Sequence, residues 1–545
     1  MKKLILIGAV VALVTGVVVG PGAEAGGRIP STVPQFGLYL QESFDLNLEL
    51  DNFYANASNA DSDKILRCKS IEDEICLNTT NIMMIHNLPV CAVDDSFDCI
   101  KAVWAVDSTG KKIEGQYQTA LPAKGFTDRD AIPSLKLSAA RGFGGLWKIP
   151  GVVNTGGEDN YFVSARSNAW INKGAGEPLN LKQVGYGPLM TGIVPVKKVL
   201  GNYPSVTSRP TWGRAGDPGN TGPIYTPDNQ RCTVTDVGFC ELPQDFPDGY
   251  RFGMSVKLSQ PINGWFHGRI ARPLIDITPS GNGKLIAIEA EPVKISTLDF
   301  MVPNAQVPES VRKVIFADVD WGIMGSPNVG MQTMLNGLDD PQTMKIMNEM
   351  LPTIGDKATK TTQYWSYRTL TGWNNADVTR CQGSGDQVGG VVNTNALTYS
   401  SGPPTYNKET GTLEYKVASP HYEADGKIAL GTYDLAVKSD VARCIYGFTS
   451  APINATIQIV NESGEQKVAT IVVNERNGWL YLSAKGFTFS SPTIKVKLTQ
   501  DAPAKEEVAA APVSPKKISI TCVKGKSSKV VTAASPKCPS GYKKK

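Results

Sequence analysis

The sequence predicts a mainly β protein: several β-sandwich-like modules with a short helical insert and a small C-terminal disulfide hairpin. Three observations carry this expectation. Short apolar runs are separated by stretches rich in Gly, Pro, Asn, Asp, Ser and Thr, and the 545 residues include 53 Gly and 36 Pro, the punctuation of a loop-rich β chain. Apolar and polar residues alternate in many of the runs. Leu46, Leu48 and Leu50, for example, sit between Asp45, Asn47, Glu49 and Asp51, the period of a half-buried strand. Finally, three cysteine pairs share one spacing, C-x7-C: Cys68 with Cys76, Cys91 with Cys99, and Cys232 with Cys240.

Residues 1–25 read as a secretion signal. Lys2 and Lys3 are followed by an apolar run from Leu4 to Val19, a Pro21-Gly22 break and the small–x–small motif Ala23-Glu24-Ala25, as a signal peptidase requires. The exported chain would start near Gly26 and be found outside the cell or in the envelope. No second apolar run of membrane-spanning length follows, so no transmembrane segment is expected in the mature chain.

Residues 26–125 form the first expected β module, with four of the ten cysteines and a strand at Ala102–Val106. Residues 126–302 form the second, with strands at Tyr161–Ser164, Phe252–Leu258, Gly264–Ile270 and Leu285–Ile288, and a long Pro/Gly loop from Gly201 to Tyr225. Residues 303–362 are the helical, Met-rich insert. Pro341 to Leu351 reads as an amphipathic helix, capped by Asp339 or Asp340 and ended by Pro352. A second helix start follows Pro308.

Residues 363–500 read as a C-terminal β-sandwich. Its strand candidates are Thr412–Ala418, Lys427–Lys438, Ala442–Phe448, Asn454–Val460, Val468–Val473, Trp479–Ala484 and Thr493–Leu498. Seven strands with regular turns fit the sandwich pattern. Residues 501–516 are an Ala/Pro/Glu linker. Residues 517–545 are a basic hairpin too small to hold a core without a staple.

In an exported chain the ten cysteines are expected as five disulfides: the three C-x7-C pairs, Cys381 with Cys444, and Cys522 with Cys538. Cys68 with Cys99 around Cys76 with Cys91 is the rival nesting. Loop closure gives about 2.6 kcal/mol for each short loop and about 4.3 kcal/mol for Cys381 with Cys444. Zinc ligands cluster as C-x2–4-C, often beside histidine, and these spacings do not match.

Charge divides unevenly. From Gly26 onward there are 53 Lys plus Arg and 50 Asp plus Glu, whereas Pro503 to Lys545 holds ten Lys and two Glu. A mildly acidic body therefore carries a tail of net charge +8. Such a tail is attracted to anionic surfaces, cell-wall polymers among them.

Two stretches resemble known sequences. Cys522 to Lys526 (CVKGK) with Cys538 to Lys545 (CPSGYKKK) resembles a tail on exported proteins of freshwater actinobacteria. Asp440 to Phe448 (DVARCIYGF) with Gly478 to Ser491 (GWLYLSAKGFTFSS) resembles uncharacterised secreted proteins of the same bacteria. The match covers about a quarter of the chain. It implies an exported, modular protein and carries over no catalytic residue.

The chemistry-bearing motifs are few. His86, His267 and His421 are far apart, with no HExxH, and no GxSxG elbow is present. Without a Walker loop or a GxGxxG–helix unit, neither nucleotide chemistry nor a nucleic-acid partner is expected, nor any cofactor or resident metal. Asp318 and Asp320, in the run Val314-Ile-Phe-Ala-Asp318-Val-Asp320-Trp321, would share one face of a strand as an acid–base pair does. A chitinase-type strand would put a glutamate at 322, where this chain has Gly322. Tyr364, Trp365, Tyr367 and Trp373, near Asn374, Asn375 and Asp377, are candidates for stacking on sugar rings. Met344, Met347 and Met350 lie near one helix face, suited to core packing or to Cu(I) in an oxidising compartment. The leading expectation is a secreted or cell-surface protein with a structural, adhesive or binding role and no identifiable catalytic site. The second is a secreted carbohydrate-binding protein or glycoside hydrolase.

Overall fold

A computed structural model describes the chain except for residues 1–27, 30–34, 43–53, 57–64, 68–69, 92–97, 122–129, 138, 140–141, 143, 204–231, 260–263, 282, 318–329, 334–337, 371–379, 382–387, 451–452, 461–465, 469–471, 490–491 and 501–516. The protein is mainly β, as its alternation predicts. The strands that build the core are β1 (Gln35–Leu40), β2 (Cys99–Val106), β3 (Asn160–Asn172), β4 (Val184–Leu200), β5 (Arg251–Leu258), β6 (Gly264–Ser280), β7 (Gly283–Pro303), β8 (Lys360–Tyr364) and β9 (Ser366–Thr369). They continue with β10 (Val388–Thr394), β11 (Thr412–Ala418), β12 (Leu430–Lys438), β13 (Ile453–Val460), β14 (Trp479–Thr488) and β15 (Thr493–Gln500).

A first sheet runs β3–β4–β9–β6–β10–β12–β14, antiparallel except for the β6–β10 pair. A second runs from the C-terminal half of β6 through β7 and β5 to β2. β6 belongs to both. It changes sheet where its register slips between Ala271 and Leu274, at Arg272, whose φ is 50°. Such a bulge is how a strand turns the corner between packed sheets. The two inner faces share one core. Tyr161, Val163 and Ala165 of β3 lie in the same cluster as Phe252, Met254 and Val256 of β5. Each set has the period of two that strand geometry dictates.

A third, six-stranded sheet contains β11, β15 and β13 in that order. Leu413, Tyr415 and Val417 alternate on β11, Ile494, Val496 and Leu498 on β15, and all six are buried. The Tyr415 ring meets Tyr433 of β12 with centroids 5.8 Å apart, which joins this sheet to the first.

Strand pairing crosses the boundaries drawn from composition. β2 pairs with β5 across residue 125. β9 pairs with β4 and β6 across residues 302 and 362. These positions therefore do not separate folding units. By its contacts the chain divides instead into residues 1–448 with 455–498, and residues 449–454 with 499–545. The second unit carries the tail, Ile518–Lys524 paired with Ser527–Ala533 and with a short third strand, Lys543–Lys544.

Pro341–Met350 is helical as predicted. Asp340 is the cap, its side chain accepting from the Thr343 amide at 2.8 Å. Pro352 does not end the coil outright. It opens a 3-10 turn, Leu351–Ile354, closed by Gly355 at φ 72°, because a proline in a first turn gives up no needed N–H. Met344 and Met347 pack with Leu40, Ile295 and Leu298, and Met350 with Phe36 and Leu38. All three methionines are buried and pack as core filler.

Two strand assignments are corrected. Ala442–Phe448 is not a strand; Ser439–Tyr446 is a helix. Val441, Ala442 and Ile445 bury one of its faces. Gly447, at φ 68°, closes it with its own amide on Cys444 O and the Phe448 amide on Arg443 O, a Schellman end. Val314 to Ala317 likewise belong to a helix, Glu309–Ala317. The expected strand leading into Asp318 and Asp320 is thus absent up to Ala317, and both aspartates lie outside the described residues. So does Leu46 to Leu50. A short helix, Glu74–Asn78, capped by Asp73, was not anticipated.

Disulfides join Cys91 to Cys99, Cys232 to Cys240, Cys381 to Cys444 and Cys522 to Cys538. The first of these eliminates the nested alternative. Cys76 is also disulfide-bonded, and Cys68, the mate its spacing gives it, lies outside the described residues. No helix among the described residues is long and apolar enough to cross a membrane.

Candidate functional site

Strand alternation that buries Trp365 and Tyr367 must send Ser366 and Arg368 to the opposite face of β9. The same rule on β6 buries Phe266 and Ile270 in the core and turns His267 and Arg269 away from it; on β3 it turns away Ser164 and Arg166. Register then sets these residues side by side. Arg166 is opposite Met190, Met190 opposite Arg368, and Arg368 opposite His267, one row across four strands. In the neighbouring row Ser164, Gly192, Ser366 and Arg269 are likewise consecutive partners. Long basic side chains thus flank Ser164 and Ser366, and all of them line one site. The result is a part-open cavity of about 30 Å³, room for one or two water-sized groups.

The walls are polar and buried. Arg269 and His267 are each 2 % exposed and Arg166 is 6 % exposed. Arg269 Nε donates to Glu42 Oε2 at 2.5 Å, and its terminal nitrogens donate to the carbonyls of Thr394, Ala396 and Leu397 at 2.6–3.1 Å. Arg368 Nη2 donates to Tyr399 Oη at 2.7 Å and to Asp339 Oδ2 at 3.4 Å. Arg166 Nη2 lies 3.2 Å from Met190 Sδ. The Tyr399 ring stacks on His267, centroids 3.9 Å apart and planes within 5°, and carries the Arg269 guanidinium at 4.4 Å.

Burial first, then the charges of Arg269 and Arg368, hold His267 well below the ordinary imidazole value. It is neutral at physiological pH, and its Nε2 has no hydrogen-bond partner among the described residues. Burial also pushes the Tyr399 phenol up to about 12, so it stays protonated. The ensemble is a set of convergent donors. It contains no hydrogen-bonded serine–histidine pair among the described residues, and no described group of three His, Cys, Asp or Glu could hold a metal ion.

The sequence-derived candidates fall elsewhere. Trp365 and Tyr367 are each 1 % exposed and lie in the core. The indole N–H of Trp365 donates to Ala290 O at 3.1 Å. Neither ring offers a face to a sugar, which corrects their assignment to stacking; the alternation around Ser366 faces them inward. Tyr364 is half-buried and donates to Glu42 O at 2.9 Å. Trp373, Asp318 and Asp320 lie outside the described residues. His421 sits 2.6 Å, Nδ1 to Oδ2, from Asp356, and His86 is on the strand Asn81–Asn87. Motif reading passed over the row of Arg166, Arg368 and His267. Its signal was present in Phe266-His267-Gly268-Arg269-Ile270 and Trp365-Ser366-Tyr367-Arg368, where basic residues alternate with core residues. The pairing of those strands was not.

No protein family, curated protein or solved structure matches this chain.

Proposed function

We propose that the chain is an exported protein of the cell surface or extracellular space with a structural, adhesive or binding role, its C-terminal unit holding it to anionic wall polymers. The observation that carries this reading is the tail. Residues 517–545 contain eight lysines and no Asp or Glu. All eight are exposed, on a small sheet pinned by Cys522–Cys538. Cys522 and its staple form the interior, so the lysines are left for the outside. Disulfides in the body and the signal-like N-terminus support an oxidising, exported setting.

The test is co-sedimentation of the full chain with isolated cell walls over a salt series. Its control is a variant with Lys526, Lys529, Lys543, Lys544 and Lys545 changed to Gln. Binding by the unaltered chain that is lost at high salt and absent from the variant supports an electrostatic tether. Equal binding by both at every salt concentration removes the tail from the mechanism.

A further inference from the structure

The eight lysines of residues 517–545 are not equivalent, because strand pairing gives the tail two different faces. Ile518–Lys524 is the middle strand, with Cys522 opposite Lys529 on one side and opposite Lys544 on the other. Side chains directly opposite share a face, so Cys522, Lys529 and Lys544 lie together, with Lys524 two residues further along the same face. That face is roofed. Cys522 is fully buried, and its bond to Cys538 holds the segment before the last strand over it. The Lys529 ammonium sits 5.5 Å from the centre of the Tyr542 ring. Lys524 Nζ lies so near Gly541 that a Cβ there would stand 3.1 Å from it. The other face carries Ser519, Thr521 and Val523, opposite Thr532, Val530 and Ser528, with Lys543 opposite Val523. Lys545 continues that register, its amide donating to Thr521 O at 2.9 Å. Val530 is 69 % exposed, and Ser519, Ser528, Thr532, Lys543 and Lys545 are exposed around it.

We propose that the uncovered face, edged by Lys543 and Lys545, is where the tail meets its polymer, and that the polymer is a phosphodiester chain; this rests on the tail being the tether. Charge is the first argument. Residues 517–545 hold eight lysines and no acid, so the complementary occupant is a polyanion. The type of cation is the second. None of the eight is an arginine. A planar carboxylate is matched best by the guanidinium fork, whereas an ammonium group acts as a point charge that meets phosphoryl oxygens from any direction. The third is the surface itself. Apart from its two lysines this face carries nothing larger than valine, so a chain can lie close against the sheet. The Ser519 and Thr532 hydroxyls are bonded to each other at 2.6 Å, which leaves one of their two protons to donate outward. Ser528 adds a hydroxyl at the other end. Lys543 and Lys545, about 6.8 Å apart along one strand, each meet a separate charge of the polymer.

The experiment measures binding of the full chain to immobilised poly(glycerol phosphate) over a salt series, with polygalacturonate as the carboxylate arm. It is repeated on two variants of equal charge, Lys543→Gln with Lys545→Gln and Lys524→Gln with Lys529→Gln. A third, Val530→Asp, puts a carboxylate at the centre of the uncovered face. Mass mapping of the Cys522–Cys538 bond checks that each tail is folded. Each lysine that meets a phosphate contributes about 0.7 to the slope of log affinity against log salt. Loss of Lys543 and Lys545 should therefore lower that slope by about 1.4 and weaken binding about tenfold. Loss of Lys524 and Lys529 should weaken it about twofold or less and leave the slope nearly unchanged. Val530→Asp should weaken it about tenfold, and it decides if the Lys543 and Lys545 variant fails to fold. Equal losses from the two lysine pairs mean that the tail binds by net charge without a preferred face, which overturns the proposal and leaves the tether standing. So does polygalacturonate bound as tightly as poly(glycerol phosphate), or isolated walls bound without poly(glycerol phosphate). Binding to neither walls nor polymer removes the tether as well.

Discussion

Arg269 and Glu42 form a buried ion pair that joins β6 to the chain just beyond β1, Nε to Oε2 at 2.5 Å. The remaining guanidinium donors hold the carbonyls of Thr394, Ala396 and Leu397, so one side chain organises three segments. Removing it strands a buried carboxylate and three carbonyls together. Arg269→Ala is therefore expected to lower stability by about 3–5 kcal/mol. Glu42→Gln keeps an acceptor in place and should cost less, about 1–3 kcal/mol. Chemical denaturation of both variants measures the order, and a larger loss for Glu42→Gln contradicts this account.

His267 supplies a pH signature. Its folded-state pKa is depressed by burial and by Arg269 and Arg368, so the unfolded chain takes up the proton first as pH falls. The stabilisation is full above the unfolded value of about 6.5 and declines below it, by up to about 1.4 kcal/mol per pH unit. His267→Gln lacks this titration. Between pH 7.5 and pH 5.5 the unaltered chain should lose about 1 kcal/mol more than the variant. Denaturation midpoints at the two pH values test this, and parallel losses would show that His267 does not titrate as described.

Trp365 separates packing from recognition. Its indole lies against Tyr367, centroids 5.9 Å apart, and donates to Ala290 O. Trp365→Ala should cost about 3–5 kcal/mol. Any glycan binding by the protein should then fall only as far as the folded fraction falls, with affinity per folded molecule unchanged. A selective loss of glycan affinity in a fully folded variant would restore the stacking role.

What the sequence made legible follows the range of the forces involved. Period-two alternation is local, and it marked β5, β11, β12 and β15 to within a few residues. The Asp340 cap and the Met344, Met347 and Met350 face are equally local. Partner choice is not: nothing near Ser366 or His267 announces that β9 lies between β4 and β6, so neither the merged sheets nor the Arg166–Arg368–His267 row was visible. The helix Ser439–Tyr446 was misread because Cys444-Ile445-Tyr446-Gly447-Phe448 carries strand-like composition. There Gly447 was the overlooked stop signal, and packing of Val441 and Ile445 decided the outcome over propensity.

Glu241 gives the last prediction, with the opposite sign from His267. It is 1 % exposed on the short strand Phe239–Pro243, next to the Cys232–Cys240 bond. One of its carboxylate oxygens, Oε2, has no hydrogen-bond partner among the described residues. Burial is the main cause that pushes its carboxyl up to about 7; Glu158 adds to the rise and Lys198 opposes it. The folded state thus holds a proton that the unfolded state releases near pH 4.5. The resulting stability is complete below about 4.5 and is lost as pH rises toward 7, by about 3 kcal/mol in the limit. Glu241→Gln imitates the protonated form at every pH. It should be near neutral at pH 4.5 and stabilising by about 1–3 kcal/mol at pH 8. Thermal unfolding of both proteins across this range reads the difference. A variant that is equally or more destabilised at pH 8 than at pH 4.5 would mean that the ionised carboxylate is satisfied in the folded chain.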